Sequence, residues 1–355
     1  MDKKIPKIGL VGFLIKKETG RGVMEYSFRL HRAFARRDKD VEILDLLNPS
    51  KILSRVFSNL FNYGHRENTI YHYVDPAAAS AKFLFGRGTA VVTVHDLGFL
   101  RSESYTNPFK LYSGNIKSLF LKSEEHVFSP FIKILPLIGI YESTHNKCLF
   151  IFVSDSTMRD FLERFRISRE RCFVIPPIIS PKFKPLKKSK GKKMIVGHIS
   201  SYAQNKNAGA LIDAVKKVKD KNLELRLYGG KMPYKINDDK RIKYFGFVDE
   251  DKLPSIYNSF DVFVFPSVFE GFGMPIMEAK RCKVPVVTYA KAELPDVVKR
   301  NTLQFKDQAD LIEILEKKKW KKVNLEMAYN DTKGCEEGNV VNEIIKVYKQ
   351  ALNSR

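Results

Sequence analysis

Short apolar runs alternate with longer amphipathic segments along most of the chain. An apolar run of about four to eight residues between turn signals is typical of a buried strand, whereas apolar positions at helical spacing predict a helix. Strands that alternate with helices predict parallel sheets. We predict strands at residues 8–11, 41–44, 90–94, 149–153, 194–197, 223–228, 242–245, 262–266 and 285–289, and helices at residues 23–37, 208–218 and 340–352.

A lysine-rich segment, residues 184–193, interrupts this alternation and has no apolar periodicity. A chain of 355 residues exceeds the usual size of one hydrophobic core and fits two domains of ordinary size. We therefore place two α/β domains at residues 1–185 and 186–335, followed by a C-terminal helical segment at residues 336–355.

Charge narrows the classes of partner. The formal net charge of +22 favours anionic partners, namely phosphorylated substrates, an anionic membrane surface or nucleic acid. Nucleic acid ranks lowest because the chain lacks motifs that interleave aromatic and basic residues. A solvated basic surface without a partner stays open as an alternative.

Cysteine usage and hydropathy indicate the compartment. The four cysteines are scattered, without metal-binding spacing, which favours a reducing compartment and argues against a structural metal. No apolar run approaches the roughly 20 residues of a membrane span, and no signal segment precedes the first predicted strand. We expect a cytoplasmic protein, either soluble or peripheral at the inner face of the membrane.

The most informative pattern is a pair of carboxylates, Glu270 and Glu278, with a glycine-rich turn between them. The predicted strand at 262–266 precedes the turn, and Pro275 suits the start of the helix that follows. The free N–H groups at such a helix start attract phosphate or sugar oxygens. Because helical side chains lean toward the N-terminus, the Glu278 carboxylate is expected to return to this turn. The segment could therefore hold a phosphorylated polyol.

Residues 266–279 resemble the E-x7-E signature of glycosyltransferase family 4, whose members have the GT-B fold. The resemblance implies two Rossmann-like domains whose parallel sheets face a central cleft. It also implies that the C-terminal helix crosses back to the N-terminal domain, the acceptor side. In the family, the first glutamate lies near the donor sugar, the second binds the ribose, and the turn amides hold sugar hydroxyls. These roles fall on Glu270, on Glu278, and on the amides of Phe272, Gly273 and Met274.

A second loop, residues 197–207, resembles the family loop whose lysine reaches the donor diphosphate. This role falls on Lys206. The family usually has arginine after the glycine of this loop, and here the position is His198. A neutral imidazole cannot replace a guanidinium on phosphate. Either His198 acts in its protonated form, or another basic residue, such as Arg21, supplies the charge.

Four further residues resemble positions that have roles in the family. His95 ends a predicted strand and resembles a residue at the acceptor side of the family's cleft, so we assign it an acceptor-side or catalytic role. Held by a backbone carbonyl, it would instead be structural. Gly20 and Gly22 resemble the glycine-rich loop after the first strand, which can approach phosphate, and Val248 lies in a segment like the one that packs against the donor base.

One segment and one residue depart from the family pattern. Residues 127–140 are apolar but contain prolines, so we expect a buried loop rather than a clean amphipathic helix; a docking surface for a lipid-linked acceptor is the alternative. Lys283 replaces a glycine that ends the family's helix in the left-handed conformation. Because lysine there costs about 1 kcal/mol, we expect this turn to be built differently.

The resemblance implies a retaining glycosyltransferase, metal-independent and without a cofactor. It would move a hexose from a nucleoside-diphosphate sugar to a glycan or lipid-linked acceptor. A nucleotide-sugar epimerase or phosphorylase on the same fold stays open. A catalytically idle, basic GT-B-like subunit that binds a membrane or a partner enzyme is a further alternative.

Overall fold

The chain folds into two compact units. The computed structural model describes residues 7–12, 21–37, 39–45, 69–80, 89–98, 129–145, 148–187, 191, 193–236 and 238–353. The first unit comprises Met1–Pro176 and Val340–Arg355, and the second comprises Pro177–Asn339. The C-terminal helix therefore belongs to the first unit from Val340 onward.

In the described part of the first unit, six parallel strands form one sheet in the order β2-β1-β3-β4-β5-β6. Strand β1 lies between two neighbours, with Ile8 opposite Val41 and Ile70. Apolar side chains on this sheet, among them Phe150 and Phe152, are fully buried and form the core of the unit. The strands are β1 (Lys7–Gly12), β2 (Val41–Asp45), β3 (Thr69–Tyr73), β4 (Thr89–Val94), β5 (Leu149–Phe152) and β6 (Cys172–Val174).

The helices described in the first unit pack around this sheet. Helix α1 follows β1 as its stripe of apolar residues predicts, with Leu30 and Phe34 fully buried. A serine, Ser154, starts the helix after β5 by accepting a hydrogen bond from the amide of Thr157 at 3.1 Å, which satisfies an otherwise unpaired N–H group. These helices are α1 (Arg21–Ala35), α2 (Pro76–Ala79), α3 (Ser129–His145) and α4 (Asp155–Arg164).

The second unit repeats the plan. Its described residues form a parallel sheet of six strands in the order β12-β11-β10-β7-β8-β9, around a core that includes Trp320 and Leu227. The strands are β7 (Met194–Ser200), β8 (Leu223–Gly229), β9 (Ile242–Tyr244), β10 (Val262–Phe265), β11 (Val286–Tyr289) and β12 (Leu303–Phe305). The helices are α5 (Ala208–Lys217), α6 (Leu253–Ser259), α7 (Met274–Arg281), α8 (Asp296–Lys299), α9 (Gln308–Glu316), α10 (Leu325–Asn330) and α11 (Glu337–Asn353), the last of which continues into the first unit.

The prediction of an α/β fold with parallel sheets in both halves is confirmed, while three strands were missed. Strands β6 and β12 have three residues each, which is too short for a clear apolar run. Strand β3 is fully buried but contains His72, whose ring bonds to Thr93 and Tyr348. Its polarity is satisfied by tertiary contacts that the sequence does not display.

The lysine-rich segment lies within the second unit rather than between the units. The sequence places the boundary at residues 185–186, whereas the first unit ends at Pro176. Phe183 is buried, the amide of Leu186 donates to Asn258 Oδ1 at 2.7 Å, and Asn258 Nδ2 donates to the Lys184 carbonyl oxygen at 3.0 Å. These contacts attach the start of the segment to helix α6.

The expectation of a buried loop at residues 127–140 is wrong where this segment is described. Residues from 129 onward belong to helix α3, with Pro136 inside it. Close packing favours the helix: a Cβ on Gly139 would lie 1.7 Å from the carbonyl oxygen of Pro76, so glycine lets α3 contact α2. Beyond this contact, Leu137 and Ile138 are exposed. Residues 127 and 128 lie outside the described residues.

The turn after helix α7 corrects a second expectation. Lys283 adopts the left-handed conformation, with φ 54°, so the turn has the conformation of the family's glycine rather than another one. Its ammonium group forms an ion pair with Glu326 and lies 5.4 Å from the centre of the Tyr329 ring. These contacts offset part of the cost of the strained backbone.

Candidate active site

A glycine-rich turn connects strand β10 to helix α7 and carries Glu270. The strand ends at Phe265 and the helix begins at Met274, with Pro275 in its first turn, as predicted. Gly273 precedes the helix with φ 100°, and a Cβ there would lie 3.1 Å from Val298 Cγ1. Only glycine takes this conformation without strain, so Gly273 sets the direction in which the helix starts.

The amide groups at this helix start are available to a ligand. Among the described residues, the N–H groups of Phe272, Gly273 and Met274 have no hydrogen-bond acceptor, and the first amide of the helix with a partner is that of Ile276, 3.0 Å from the Gly273 carbonyl oxygen. Pro275 has no N–H group. Unpaired amides at the positive end of a helix attract anions and other oxygen-rich groups. The geometry is therefore compatible with the ligand role predicted for these three residues.

Lys206 and Glu270 form an ion pair beside this turn. Lys206 ends a short 3₁₀ turn, Gln204–Lys206, after strand β7. Its Nζ atom donates to both carboxylate oxygens of Glu270, each at 2.7 Å. The two side chains are 20% and 12% exposed, so the pair is shielded but open to solvent. The structure thus brings together two residues that the sequence assigns to different parts of the donor.

Two residues that sequence reasoning missed, Ser267 and Asn205, fix this pair. The Ser267 hydroxyl is buried and donates to Glu270 Oε1 at 2.6 Å. The Val268 amide donates to the Asn205 carbonyl oxygen at 2.8 Å, and Asn205 Nδ2 donates to the Phe269 carbonyl oxygen at 3.2 Å. The two loops are therefore joined at several points. A sequence signal existed: Ser267 is three residues before Glu270, and Asn205 immediately precedes Lys206.

Glu278 lies on helix α7 and is 6% exposed. One of its carboxylate oxygens accepts a hydrogen bond from the hydroxyl of Tyr257, at 3.1 Å, and Tyr257 is itself fully buried. A buried carboxylate needs such partners because desolvation disfavours the charged form. Its predicted contact with a ribose stays a prediction, and Tyr257 is the partner that the sequence did not indicate.

His198 is a neutral, buried side chain. It lies on strand β7, fully shielded from solvent, and its Nδ1 and Nε2 atoms are each 2.9 Å from a partner, the Val264 carbonyl oxygen and the Ser200 hydroxyl. Burial lowers its pKa to about 4. At neutral pH the ring is uncharged, which corrects the alternative that His198 contacts phosphate as a cation. The alternative that names Arg21 stays a prediction.

Val248 follows a turn with exposed aromatic rings. Gly246 has φ 71°, and its carbonyl oxygen accepts a hydrogen bond from the Gly229 amide at 2.8 Å. The ring of Phe245 stacks on Tyr228 with 4.8 Å between centroids, and Phe245 and Phe247 are exposed. Aromatic faces of this kind can pack against a nucleobase, which is the role predicted for this segment.

In the first unit, His95 follows strand β4 directly. Its Nε2 atom donates to the Val74 carbonyl oxygen at 2.8 Å, and its ring meets Tyr26 edge-on with 4.8 Å between centroids. Burial lowers its pKa, so the ring is neutral and Nδ1 carries the lone pair. The backbone contact is the one that a structural role predicts, while the lone pair leaves Nδ1 able to accept a proton.

The glycine-rich loop is described only in part. Gly22 lies exposed in the first turn of helix α1, and Gly20 lies outside the described residues. Its predicted approach to phosphate therefore stays a prediction.

Comparison with known proteins now identifies the region that carries these loops. Residues 193–317 match the family described as glycosyl transferases group 1. This confirms the resemblance to a glycosyltransferase that Glu270, Glu278 and Lys206 indicated, and all three lie inside the matched region. Assignment to family 4 within that group stays a prediction.

One curated relative and two solved structures illustrate the match. Over 57 residues the chain is 49% identical to O-antigen chain mannosyltransferase B of Escherichia coli, a stretch that spans 16% of this chain and 15% of that enzyme. Sucrose-phosphate synthase from Thermosynechococcus elongatus superposes with a TM-score of 0.73 at 16% identity, covering 99% of this chain and 100% of that one. Anabaena HepE in complex with UDP and glucose gives 0.68 at 15% identity, covering 96% and 98%. These structures show that the fold is GT-B, as predicted.

Two further observations concern metals and membranes. The described residues contain no group of three or more histidine, cysteine, aspartate or glutamate side chains that could hold a metal ion. Among the helices in those residues, none combines the length and the apolar character that crossing a bilayer requires.

Proposed function

We propose that the protein is a retaining glycosyltransferase that moves a hexose from a nucleoside-diphosphate sugar to a glycan or lipid-linked acceptor. The observation that carries the proposal is the Lys206–Glu270 pair, at 2.7 Å, next to a helix start whose amides have no acceptor among the described residues. A cation and free amides attract a diphosphate, whereas a carboxylate accepts hydrogen bonds from sugar hydroxyls. This turn and the neighbouring loop of Lys206 thereby offer partners to both halves of the donor.

In the reaction, the bond from the anomeric carbon to the diphosphate oxygen breaks, and a bond from that carbon to the acceptor oxygen forms on the same face. The proton of the acceptor hydroxyl passes to the leaving diphosphate, so no separate base or metal is required. Lys206 and the helix amides would neutralise the charge that develops on the leaving group, the largest electrostatic demand of the step. Glu270 would orient the sugar and support its positive character.

The relatives suggest which donors to test first. The similar Escherichia coli enzyme is named as a mannosyltransferase, which supports mannose as the first hexose. The Anabaena structure contains UDP and glucose, which supports uracil as the first base. These two names point to different donors, so the base and the sugar have to be varied independently.

A thermal-shift panel tests the donor class. UDP, GDP and ADP, each alone and as its glucose and mannose derivatives, would be compared at equal concentration. A ligand that binds only the folded state raises the melting temperature, so at least one nucleoside diphosphate should do so. A protein that none of them stabilises would contradict the donor assignment and would favour the catalytically idle subunit.

Substitution of the two glutamates separates their roles. Glu270→Gln should abolish transfer while nucleotide binding persists, and Glu278→Gln should weaken nucleotide binding by roughly tenfold, because one hydrogen bond to an ionised group is lost. Calorimetry measures the affinity, and proton NMR of the first product formed reports the anomeric configuration. Inverted product would refute retention, and an altered sugar without an acceptor would favour an epimerase.

We propose, as a second function, attachment to an anionic membrane surface. Helix α3 exposes Leu137, Ile138 and Tyr141, which are 40%, 43% and 61% accessible. Peripheral binding requires exposed apolar area together with positive charge, and the chain has a net charge of +22. A lipid-linked acceptor would then be reached at the surface of the bilayer.

Vesicle flotation tests this attachment. Replacement of Leu137, Ile138 and Tyr141 by serine should reduce binding to vesicles that contain phosphatidylglycerol, whereas Met327→Ser, at an exposed apolar residue of the second unit, serves as the matched control. Equal binding of both variants would remove α3 as the attachment surface.

A further inference from the structure

The hydrogen-bond directions around His198 are fully determined. The Val264 carbonyl oxygen can only accept, so the Nδ1 atom of His198, 2.9 Å away, must carry the hydrogen. The ring is neutral because burial lowers its pKa to about 4, and a neutral imidazole has one N–H group. Its Nε2 atom is therefore an acceptor. The Ser200 hydroxyl, 2.9 Å from Nε2, must donate to it.

Ser200 extends this series of hydrogen bonds to the backbone of Tyr202. The amide of Tyr202 is 3.1 Å from Ser200 Oγ, and a backbone amide can only donate. Each partner thus has one role: the Tyr202 amide donates to Ser200, Ser200 donates to His198, and His198 donates to the Val264 carbonyl oxygen. Val264 belongs to strand β10, so this series of hydrogen bonds anchors the loop after β7 to the neighbouring strand.

This series of hydrogen bonds holds a backbone bend at Tyr202. Its φ is 59°, in the left-handed region that a large side chain rarely adopts without support. The residue is 5% exposed, and its hydroxyl donates to the Tyr228 carbonyl oxygen at 3.1 Å. The amide and the hydroxyl are thus fixed at opposite ends of the residue, and the backbone between them has little freedom.

The cationic loop starts at this bend. Residues 203–206 follow Tyr202 directly, and the 3₁₀ turn Gln204–Lys206 places the ammonium group of Lys206 2.7 Å from each carboxylate oxygen of Glu270. The far side of the loop is fixed by Asn205, as described above. Without the bend at Tyr202, the start of the loop at residue 203 would be free to move. Lys206 would then no longer be held beside Glu270.

We propose that His198 is a positioning residue for Lys206: with Ser200 it sets the bend at Tyr202 and makes no contact with the donor. The inference rests on the proposed function, because the action of Lys206 on a diphosphate is part of that function. A histidine thus occupies the family's arginine position without taking over a charge. The phosphate side would then depend on Lys206 and the helix amides within the second unit.

Double-mutant cycles with inorganic pyrophosphate test the inference. Pyrophosphate contains the group shared by all nucleoside diphosphates, and ³¹P NMR titration measures even weak binding. Ser200→Ala and His198→Leu should each weaken pyrophosphate binding by roughly tenfold, the loss expected for one misplaced charged partner. In a Lys206→Met background the same substitutions should have no further effect, because residues that act through one group are not additive.

Two controls separate positioning from general destabilisation. Ser200→Thr keeps the hydroxyl and should bind pyrophosphate like the wild type. Ser255→Ala removes an exposed hydroxyl that bonds to the Lys252 carbonyl oxygen and should leave binding unchanged. Melting temperatures of all variants show that they are folded, and a crystal structure of Ser200→Ala should show Lys206 displaced from Glu270.

The failures are distinguishable. A wild-type protein that binds neither pyrophosphate nor any nucleoside diphosphate overturns the proposed function and this inference with it. Normal wild-type binding with an unaffected Ser200→Ala variant overturns the inference alone. An equal loss in the Lys206→Met background also does so, because the effect would then not pass through Lys206.

Discussion

Two lysine–carboxylate pairs lie at the two ends of helix α7, and they have similar N–O distances but differ in burial and in hydrogen bonding. Lys206 and Glu270 lie before the helix, 2.7 Å apart, with side chains 20% and 12% exposed. Lys280, near the end of the helix, lies 2.9 Å from Asp331, and the two side chains are 0% and 5% exposed. The sequence distinguishes these lysines only through the resemblance of residues 197–207 to a family loop.

The two lysines differ in how many of their three ammonium hydrogens have an acceptor. The ammonium group of Lys280 has three acceptors, namely the carbonyl oxygens of Val297 and Arg300, at 3.3 and 2.6 Å, and Asp331. Lys206, within the described residues, contacts only the two oxygens of Glu270. A lysine with every hydrogen bonded holds the fold together, whereas a lysine with a hydrogen to spare, open to solvent, can bind a ligand. The spare donor, rather than the ion pair, marks the candidate active site.

The largest effect is expected for Lys280→Met, on stability. Removing one partner of a buried ion pair costs about 3–5 kcal/mol, because the other charge stays buried. We expect the lower end, about 3 kcal/mol, since Asp331 keeps Arg300 at 2.7 Å and Asn301 at 3.0 Å. The protein contains one tryptophan, Trp320, which is buried in the second unit. Its fluorescence during urea denaturation therefore reports the unfolding of this unit.

The control for Lys280→Met is Lys216→Met, which removes an ion pair with Asp238 whose side chain is 63% exposed. An exposed pair contributes about 0–1 kcal/mol, so this variant should unfold near the wild-type midpoint. Equal losses in both variants would mean that burial does not rank these pairs, and the comparison would fail.

The next effect is expected for Lys206→Met, on ligand binding. The variant should lower affinity for the stabilising nucleoside diphosphate by roughly 10- to 100-fold, since a hydrogen bond to a charged group contributes about 1.5–3 kcal/mol. Its free energy of unfolding should change by about 1 kcal/mol or less, because Glu270 retains Ser267 and access to solvent. Calorimetry and urea denaturation measure the two quantities on the same protein.

Lys280→Met is the converse test, because it should change stability and leave ligand binding unchanged. At a urea concentration where it is folded, it should bind the nucleoside diphosphate like the wild type. If Lys206→Met destabilised the fold as much as Lys280→Met while binding stayed normal, the assignment of the two lysines would have to be exchanged.

The sequence predicts the local half of this site and misses the distant half. The strand, turn and helix around Glu270 are contiguous, and Gly273 and Pro275 mark the helix start with their own backbone preferences. The partners come from elsewhere: Lys206 is 64 residues from Glu270, and Asp331 is 51 residues from Lys280. Only the resemblance to a known family indicated Lys206, and no motif indicated Asp331; Ser267 lies inside the signature segment, but its contact with Glu270 is tertiary.

Tertiary packing accounts for the expectations that were wrong. Pro136 argued against a helix, yet the contact between Gly139 and Pro76 stabilises α3 despite it. A protonated His198 was one of the two alternatives for the arginine position, but complete burial makes the ring neutral. In both cases burial decided the outcome, and single-residue preferences do not report burial.

The smallest effect is expected at a third pair, Lys283 with Glu326, at the turn after helix α7. These side chains are 32% and 72% exposed, and Lys283 also lies over the ring of Tyr329 at 5.4 Å. Glu326→Gln should lower the free energy of unfolding by about 0–1 kcal/mol, as exposed pairs do, and the effect should shrink further in high salt. The three pairs would then rank by exposure alone. A loss of stability comparable to that of Lys280→Met would show instead that Glu326 supports the left-handed backbone of Lys283. Backbone strain, and not burial, would then determine how much this pair contributes to the free energy of unfolding.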